Sequence, residues 1–265
     1  MTYGFIGTGN MASALAIAAA QAVDPGSIYL SNRTHSKAHQ LADKLNARFS
    51  DNNTIAQSCD YIFLGVKPQM MADLLASLRP VLTARTTPFV LISMAAGLTI
   101  DTIAEMAGVS CPIIRIMPNT PCAVGEGLTL YACSGSVTEV QKQDFLHLLS
   151  RSGVLEPLQE SLIDAGSAVA GCGGAYVCLF LEALADGAVA CGLPRDKAQR
   201  YAAQMLKGNA ALALQSEQHT GALKDAICSP GGTTIAGVRA LEEGGFRAAA
   251  MNAVIAAYER TMELK

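Results

Sequence analysis

Residues 3–12, YGFIGTGNMA, constrain the fold of this chain more than any other stretch. A short apolar run, the signature of a strand, enters G-x-G-x-x-A, and an Ala-rich helical pattern follows to about Ala22. Each small residue has a mechanical reason to be there. Gly7 permits a tight turn, Gly9 lets a pyrophosphate approach the backbone, and Ala12 lets the helix pack close to the strand. Thr8, Asn10 and Met11 complete the loop. Such a fingerprint is weak alone, because an ordinary tight turn can look the same. Here it follows a strand, opens a helix, and is succeeded by a second strand-like run, SIYLSNR, at the distance of a β-α-β unit. Dinucleotide binding is the reading that uses all of these features.

The end of that second run decides which dinucleotide. NAD-preferring enzymes place a carboxylate there to bond the ribose hydroxyls, whereas this chain has Asn32, Arg33 and Thr34. A carboxylate repels a 2′-phosphate and a guanidinium pairs with it. NADPH is therefore expected, with NADH weaker. The competing account of Arg33 is a solvated surface charge.

Further apolar runs, CDYIFLGVKP, PFVLISMAAG and CPIIRIMPNTP, read as buried strands that end near Val66-Lys67-Pro68, Ala95-Ala96-Gly97 and Asn119. Small or polar residues thus collect at the carboxyl ends of strands, the edge at which open α/β sheets bind ligands. Helices over 69–78 and 100–107 complete the alternation of a mostly parallel sheet. GLTLYAC, a helix over 138–151 and the edge strand VLEPLQ close the pattern near residue 158.

From Glu160 strand-like runs vanish, and apolar helical segments cover 161–191, 194–215 and 246–263, with Pro194 suited to N1. The expected architecture is an N-terminal Rossmann-like dinucleotide-binding domain over 1–158 and an all-α domain over 159–265. So many Ala, Leu and Val exceed what one thin helical layer can bury, so an intertwined homodimer or larger assembly is expected. Loose association of the chain's own two domains is the competing account.

Composition excludes several classes. The chain is 51% hydrophobic and 15% charged, which rules out disorder, and a net charge of −3 without basic tracts gives no reason to expect nucleic acid. The longest uncharged run, 165–181, is broken by glycine and followed by Glu182 and Asp186, so it reads as a buried helix and not a membrane span. With strand residues at the very N-terminus, no export signal is expected, and the location expected is cytoplasmic. The eight cysteines show no CxxC pairing and read as reduced core thiols; the four histidines are scattered, and no metal site is expected.

The chemistry is expected in residues 223–243, LKDAICSPGGTTIAGVRALEE. Ser229-Pro230 leads into Gly231 and Gly232, and Thr233 and Thr234 open an amphipathic segment with Ile235, Val238 and Leu241 at helical spacing. A glycine loop feeding a helix N-terminus offers unpaired N–H groups and a positive dipole end to an anion. The plainer alternative is a threonine-capped surface turn. Between Leu162 and Leu193 there is no Lys, His or Arg, which argues against alcohol oxidation with a general base. A protonated cyclic imine is already electrophilic, so reducing it needs hydride positioning and a hydrogen bond to nitrogen.

Taken together, GFIGTGNMA, SNRT, VKP, AAG, MPNTP, LADG, GLPR, SEQHTGALKD and SPGGTT with LEEGGF resemble the pyrroline-5-carboxylate reductase family, essentially end to end. The resemblance implies NADPH-dependent reduction of 1-pyrroline-5-carboxylate to L-proline. It implies that the N–H groups of Gly231, Gly232 and Thr233 hold the substrate carboxylate, with Ser229 and Glu217 beside it. Thr234 would bond the ring nitrogen as proton donor or relay. NADPH would lie along residues 7–12, Asn32, Arg33, Val66, Lys67, Pro68, Ala95 and Ala96, with Asn119 near the nicotinamide. Family dimers interleave their helical domains, and many assemble into decamers. Three departures stand out: AGCGGAY over 170–176 where the family usually reads SGSGPAY, Thr220 where Pro is usual, and Thr233 where Ala is usual. The alternatives are a related imine or hydroxy-acid oxidoreductase and a dinucleotide-binding sensor without turnover. An intact residue 231–234 loop and Thr234 disfavour both.

Overall fold

The computed structural model describes residues 1–263. Strands β1 (Tyr3–Ile6), β2 (Ile28–Ser31), β3 (Arg48–Phe49), β4 (Tyr61–Leu64), β5 (Val90–Ser93), β6 (Ile113–Met117), β7 (Gly127–Cys133) and β8 (Gly153–Pro157) form one sheet in the order β3-β2-β1-β4-β5-β6-β7-β8. All neighbours are parallel except β6 and β7, so β7 and β8 run against the rest. Successive residues on a strand face opposite layers. Phe5, Phe63 and Ile114 pack with Leu15 and Phe145 on one face, and Ile6, Ile62, Leu64 and Ile113 pack with Ile55, Leu75, Ile103 and Ile163 on the other. Both faces being covered explains why these strands are continuously apolar and not alternating.

The covering helices are α1 (Asn10–Ala22), α2 (His35–Leu45), α3 (Asn52–Ser58), α4 (Met71–Ala84), α5 (Ile100–Ala107), α6 (Glu139–Leu148) and α7 (Ile163–Ala170). Pro80 lies inside α4, which runs past the expected end at 78, with Leu78 and Leu82 buried on either side of the proline. Elements α2, β3 and α3 were not expected. Helix α2 turns Ala38, Leu41, Ala42 and Leu45 toward the core, a helical period that sequence reasoning passed over, whereas β3 has two residues, too few to show one.

Residues 1–172 and 257–263 fall in one compact unit and 173–256 in another. The sheet thus ends at Pro157, near the expected boundary of 158, but α7 stays with it. Two contacts explain this. Gly166 of α7 lies so close to Leu130 of β7 that a Cβ would overlap it, and Asp164 bonds the buried Arg115 of β6 at 2.5 Å.

The second unit contains α8 (Gly173–Ala190), α9 (Arg195–Gln215), α10 (Thr220–Ile227), α11 (Thr233–Glu243) and most of α12 (Phe246–Glu263). The helix expected over 161–191 is broken at Gly171 and Cys172, and Pro194 occupies the cap before Arg195 instead of N1. Arg195 pairs with Asp186, joining the start of α9 to α8, and Tyr176 donates to the Ala253 carbonyl at 3.1 Å. By length and composition Glu160–Ala190 is one stretch apolar enough to cross a membrane. The expectation of a buried helix there is corrected for the single chain, since α8 buries only Ala185. Leu179 is 69% exposed and Leu214 88%, an apolar excess that a second copy would cover.

All eight cysteines are free. Burial pushes the Cys59 thiol up to about 12 and the Cys111 thiol to about 11, which makes both inert. Cys178 and Cys191 are exposed, not core, because they belong to the uncovered α8 region.

Gly174 sits in the first turn of α8 without a positive φ, and a Cβ there would meet open space. Gly174→Ala is expected to raise the unfolding free energy by about 0.5–1 kcal/mol through reduced chain entropy. Urea denaturation at fixed protein concentration measures this. A decrease would mean that something outside the single chain presses on that position.

Candidate active site

The fingerprint loop is built by backbone contact. Gly7 has φ +92°, and a Cβ on it would lie 2.6 Å from the Gly65 carbonyl oxygen, at the end of the neighbouring β4. A Cβ on Gly65 would in turn lie 2.8 Å from that of Ala12. The two strand ends and α1 therefore touch with no room for side chains, and Ala12 is buried among them. Gly9 caps α1 with no side-chain bond, and a Cβ on it would meet nothing within 4 Å. The first-turn N–H groups of α1, from Asn10, Met11 and Ala12, thus face open space without a competing cap.

A cleft of about 740 Å³ opens here, where β1 lies between β2 and β4. Of the expected cofactor residues, Gly7, Gly9, Asn32, Arg33, Val66 and Lys67 line it. Thr8 is buried, and its hydroxyl has no hydrogen-bond partner among the described residues. Pro68, Ala95, Ala96 and Asn119 do not line the cleft; they follow β4, β5 and β6 at the same edge of the sheet. Asn119 is already committed to structural bonds. Its amide donates to the Ala170 carbonyl at 3.1 Å, and its oxygen accepts from the Leu128 N–H at 2.9 Å. It braces β7 and α7 as well as standing at the end of β6.

His35, Asp51 and Asn52 also line the cleft, and sequence reasoning passed over them. The Asp51 carboxylate caps α3, accepting the Thr54 N–H and hydroxyl, each at 2.8 Å, and these bonds hold it below the usual carboxylate range. Asn52 accepts from the Ser31 hydroxyl at 2.7 Å. The cap signature Asp-x-x-Thr was the available signal. Among the described residues no His, Cys, Asp and Glu cluster could hold a metal.

The second group of expected residues lies in the helical unit. Ser229, Pro230, Gly231 and Gly232 form a turn closed by the Gly232 N–H on the Ser229 carbonyl at 3.0 Å, with Gly231 at φ +68°. Pro followed by a positive-φ glycine is the pattern of a type II turn. A Cβ on Gly232 would overlap the Ser229 hydroxyl, which would have to rotate away, and would press on the Ser229 carbonyl at 3.1 Å. Gly232 is the N-cap of α11, and no side chain caps it. Thr233 and Thr234 are the first two helical residues and are exposed. The alternative of a threonine cap is not what forms: among the described residues neither hydroxyl caps the helix. Glu217 is exposed in the connection before α10, whose cap is His219 through its ring nitrogen at 3.0 Å from the Gly221 N–H. Thr220 begins α10 at N1, a position that also suits proline.

Comparison with known proteins identifies the family of the chain as a whole. The family model for pyrroline-5-carboxylate reductase dimerisation matches residues 160–264, and that for coenzyme F420-dependent NADP oxidoreductases matches residues 2–97. Pyrroline-5-carboxylate reductase of Pisum sativum is 39% identical over 265 residues, 99% of this chain and 96% of the relative. That of Escherichia coli is 39% identical over 264 residues, 98% of this chain and 97% of the relative. A crystal structure of Plasmodium falciparum pyrroline carboxylate reductase with NADP bound has a TM-score of 0.88 at 34% identity, over 99% of this chain and 97% of that one. At this identity over nearly its full length, the chain belongs to the pyrroline-5-carboxylate reductase family.

Proposed function

We propose that the glycine-led N-terminus of α11 is the substrate site of this NADPH-dependent reductase, which converts 1-pyrroline-5-carboxylate to L-proline. The observation that carries the reading is the missing cap: Gly232 leaves the first N–H groups of α11 and the Thr234 hydroxyl free. The N–H groups of Gly231 and Thr233 hold the substrate carboxylate, aided by the helix dipole, while that of Gly232, engaged by the Ser229 carbonyl, joins them only if that turn bond opens. The Thr234 hydroxyl bonds the ring nitrogen and passes it a proton, its own or one relayed from water, while Ser229 and Glu217 flank the ring. NADPH, when bound, supplies the hydride that the imine carbon accepts.

The N-terminal cleft fits that cofactor, because the uncapped α1 and the open space at Gly9 suit a pyrophosphate. Residues 7–12 hold it there, Asn32 and Arg33 take the 2′-phosphate, and Val66, Lys67 and Pro68 take ribose and phosphate oxygens. Ala95, Ala96 and Asn119 border the nicotinamide end. The division of labour is residues 1–158 for the nucleotide and 159–265 for substrate and self-association. The chain is a homo-oligomer acting on a small molecule. Interleaved C-terminal helices in a dimer, assembly of dimers into a decamer, and a cytoplasmic location are the finer readings. The exposed apolar residues of α8 and α9 support the first of them.

The direct test is NADPH consumption with 1-pyrroline-5-carboxylate, with proline identified by chromatography; no consumption by folded protein would defeat the assignment. Arg33→Ala is expected to raise the KM for NADPH about tenfold, the loss of one charge-assisted bond, and to leave that for NADH unchanged. Equal losses with both cofactors would show that Arg33 does not read the 2′-phosphate.

A further inference from the structure

We infer that Glu160 is a positioning residue for hydride transfer, acting through the loop that carries Ala95 and Ala96. Glu160 lies in the turn just after β8, in the same compact unit as β5 and α5. Its Oε1 accepts the Ile100 N–H at 2.6 Å, the first N–H of α5. Thr99, the cap of α5, satisfies a different donor, the Thr102 N–H at 3.1 Å, so Glu160 supplies the acceptor that the cap leaves out. A carboxylate at this end also complements the helix dipole.

What makes Glu160 more than a second cap is that it is itself held. Its Oε1 is 3.5 Å from Nη1 of Arg115, a guanidinium 1% exposed inside the sheet, and Nη2 of the same arginine is fixed by Asp164 at 2.5 Å. Ile100 follows Ala96 by four positions, across Gly97 at φ +77° and Thr99. The segment between β5 and α5 is therefore anchored at one end by its strand and at the other by a carboxylate clamped to the neighbouring β6. Releasing that clamp frees the loop without touching the cleft residues. The inference rests on the reading in which Ala95 and Ala96 border the nicotinamide.

The test is steady-state kinetics of the full-length enzyme with NADPH and with NADPH deuterated at C4, alongside unfolding midpoints. Glu160→Ala is expected to lower kcat about tenfold, as a modest misplacement of the reacting atoms does, and to enlarge the isotope effect on kcat. Glu160→Gln, whose amide oxygen still accepts the Ile100 N–H, is expected to stay within about threefold of wild type. Glu160→Asp keeps the charge but withdraws it from Ile100. It is expected to behave like Glu160→Ala, and it decides the matter if the alanine variant does not fold. Wild-type kcat and isotope effect in Glu160→Ala, or equal losses in the Gln and Ala variants, would overturn the inference. Ala96→Leu separates the two levels. If it weakens NADPH binding while Glu160→Ala is silent, only the inference fails; if it leaves NADPH affinity unchanged, the nicotinamide reading and the inference fail together.

Discussion

Replacing Asp164 with alanine is expected to lower the unfolding free energy by about 3–5 kcal/mol, the cost of leaving a buried charge without its partner. Arg115 is 1% exposed in the interior strand β6, and after the substitution Glu160, 3.5 Å away, is the acidic partner that remains among the described residues. The Nε of Arg115 already lacks a partner among the described residues. Desolvation, not attraction, sets the magnitude. For that reason the double substitution Arg115→Met with Asp164→Leu is expected to cost less than Asp164→Ala alone, since it removes both charges and keeps the volume filled. Urea denaturation at one protein concentration measures all three proteins. If the single and double variants lose the same amount, packing of α7 on the sheet, and not the ion pair, holds that region.

Thr234→Ala is expected to lower kcat by about a hundredfold, the lower end of what a positioned proton donor contributes. Thr234→Ser, which keeps the hydroxyl, is expected to retain most of the activity. The structure separates this outcome from a stability effect. A threonine that capped α11 would cost about 1 kcal/mol of stability when replaced. Here the cap is Gly232 and no side chain serves it, so the unfolding midpoint is expected to stay where it is. A variant that keeps its turnover but loses stability would return Thr234 to the role of a cap.

Much of the fold was legible because burial on both faces writes itself into sequence. The runs around β1, β4, β5 and β6 are almost wholly apolar, glycine follows β1 and β4 directly, and Ala95 comes two residues after β5. Gly7 and Ala12 had readable purposes, and each lies in contact with Gly65. The residues missed on the cleft wall, His35, Asp51 and Asn52, sit at the starts of α2 and α3; α3 is a short polar helix held by the Asp51 cap, while α2 carried a readable period at Ala38, Leu41, Ala42 and Leu45. The opposite running of β7 and β8 was also hidden, since strand direction is set by connections and not by composition. The break at Gly171 and Cys172 was masked by apolar residues on both sides. Exposure of α8 differs in kind. Its composition was read correctly as apolar, but what covers it lies outside a single chain.

The central claim is that hydride passes to the imine carbon of a substrate held at residues 231–234. The measurement that bears on it most directly is the isotopic content of proline formed from 1-pyrroline-5-carboxylate with NADPH fully deuterated at C4. The account predicts proline carrying one deuterium, at the ring carbon next to nitrogen that does not bear the carboxylate. Proline without deuterium, or NADPH consumed with no proline formed, would contradict it.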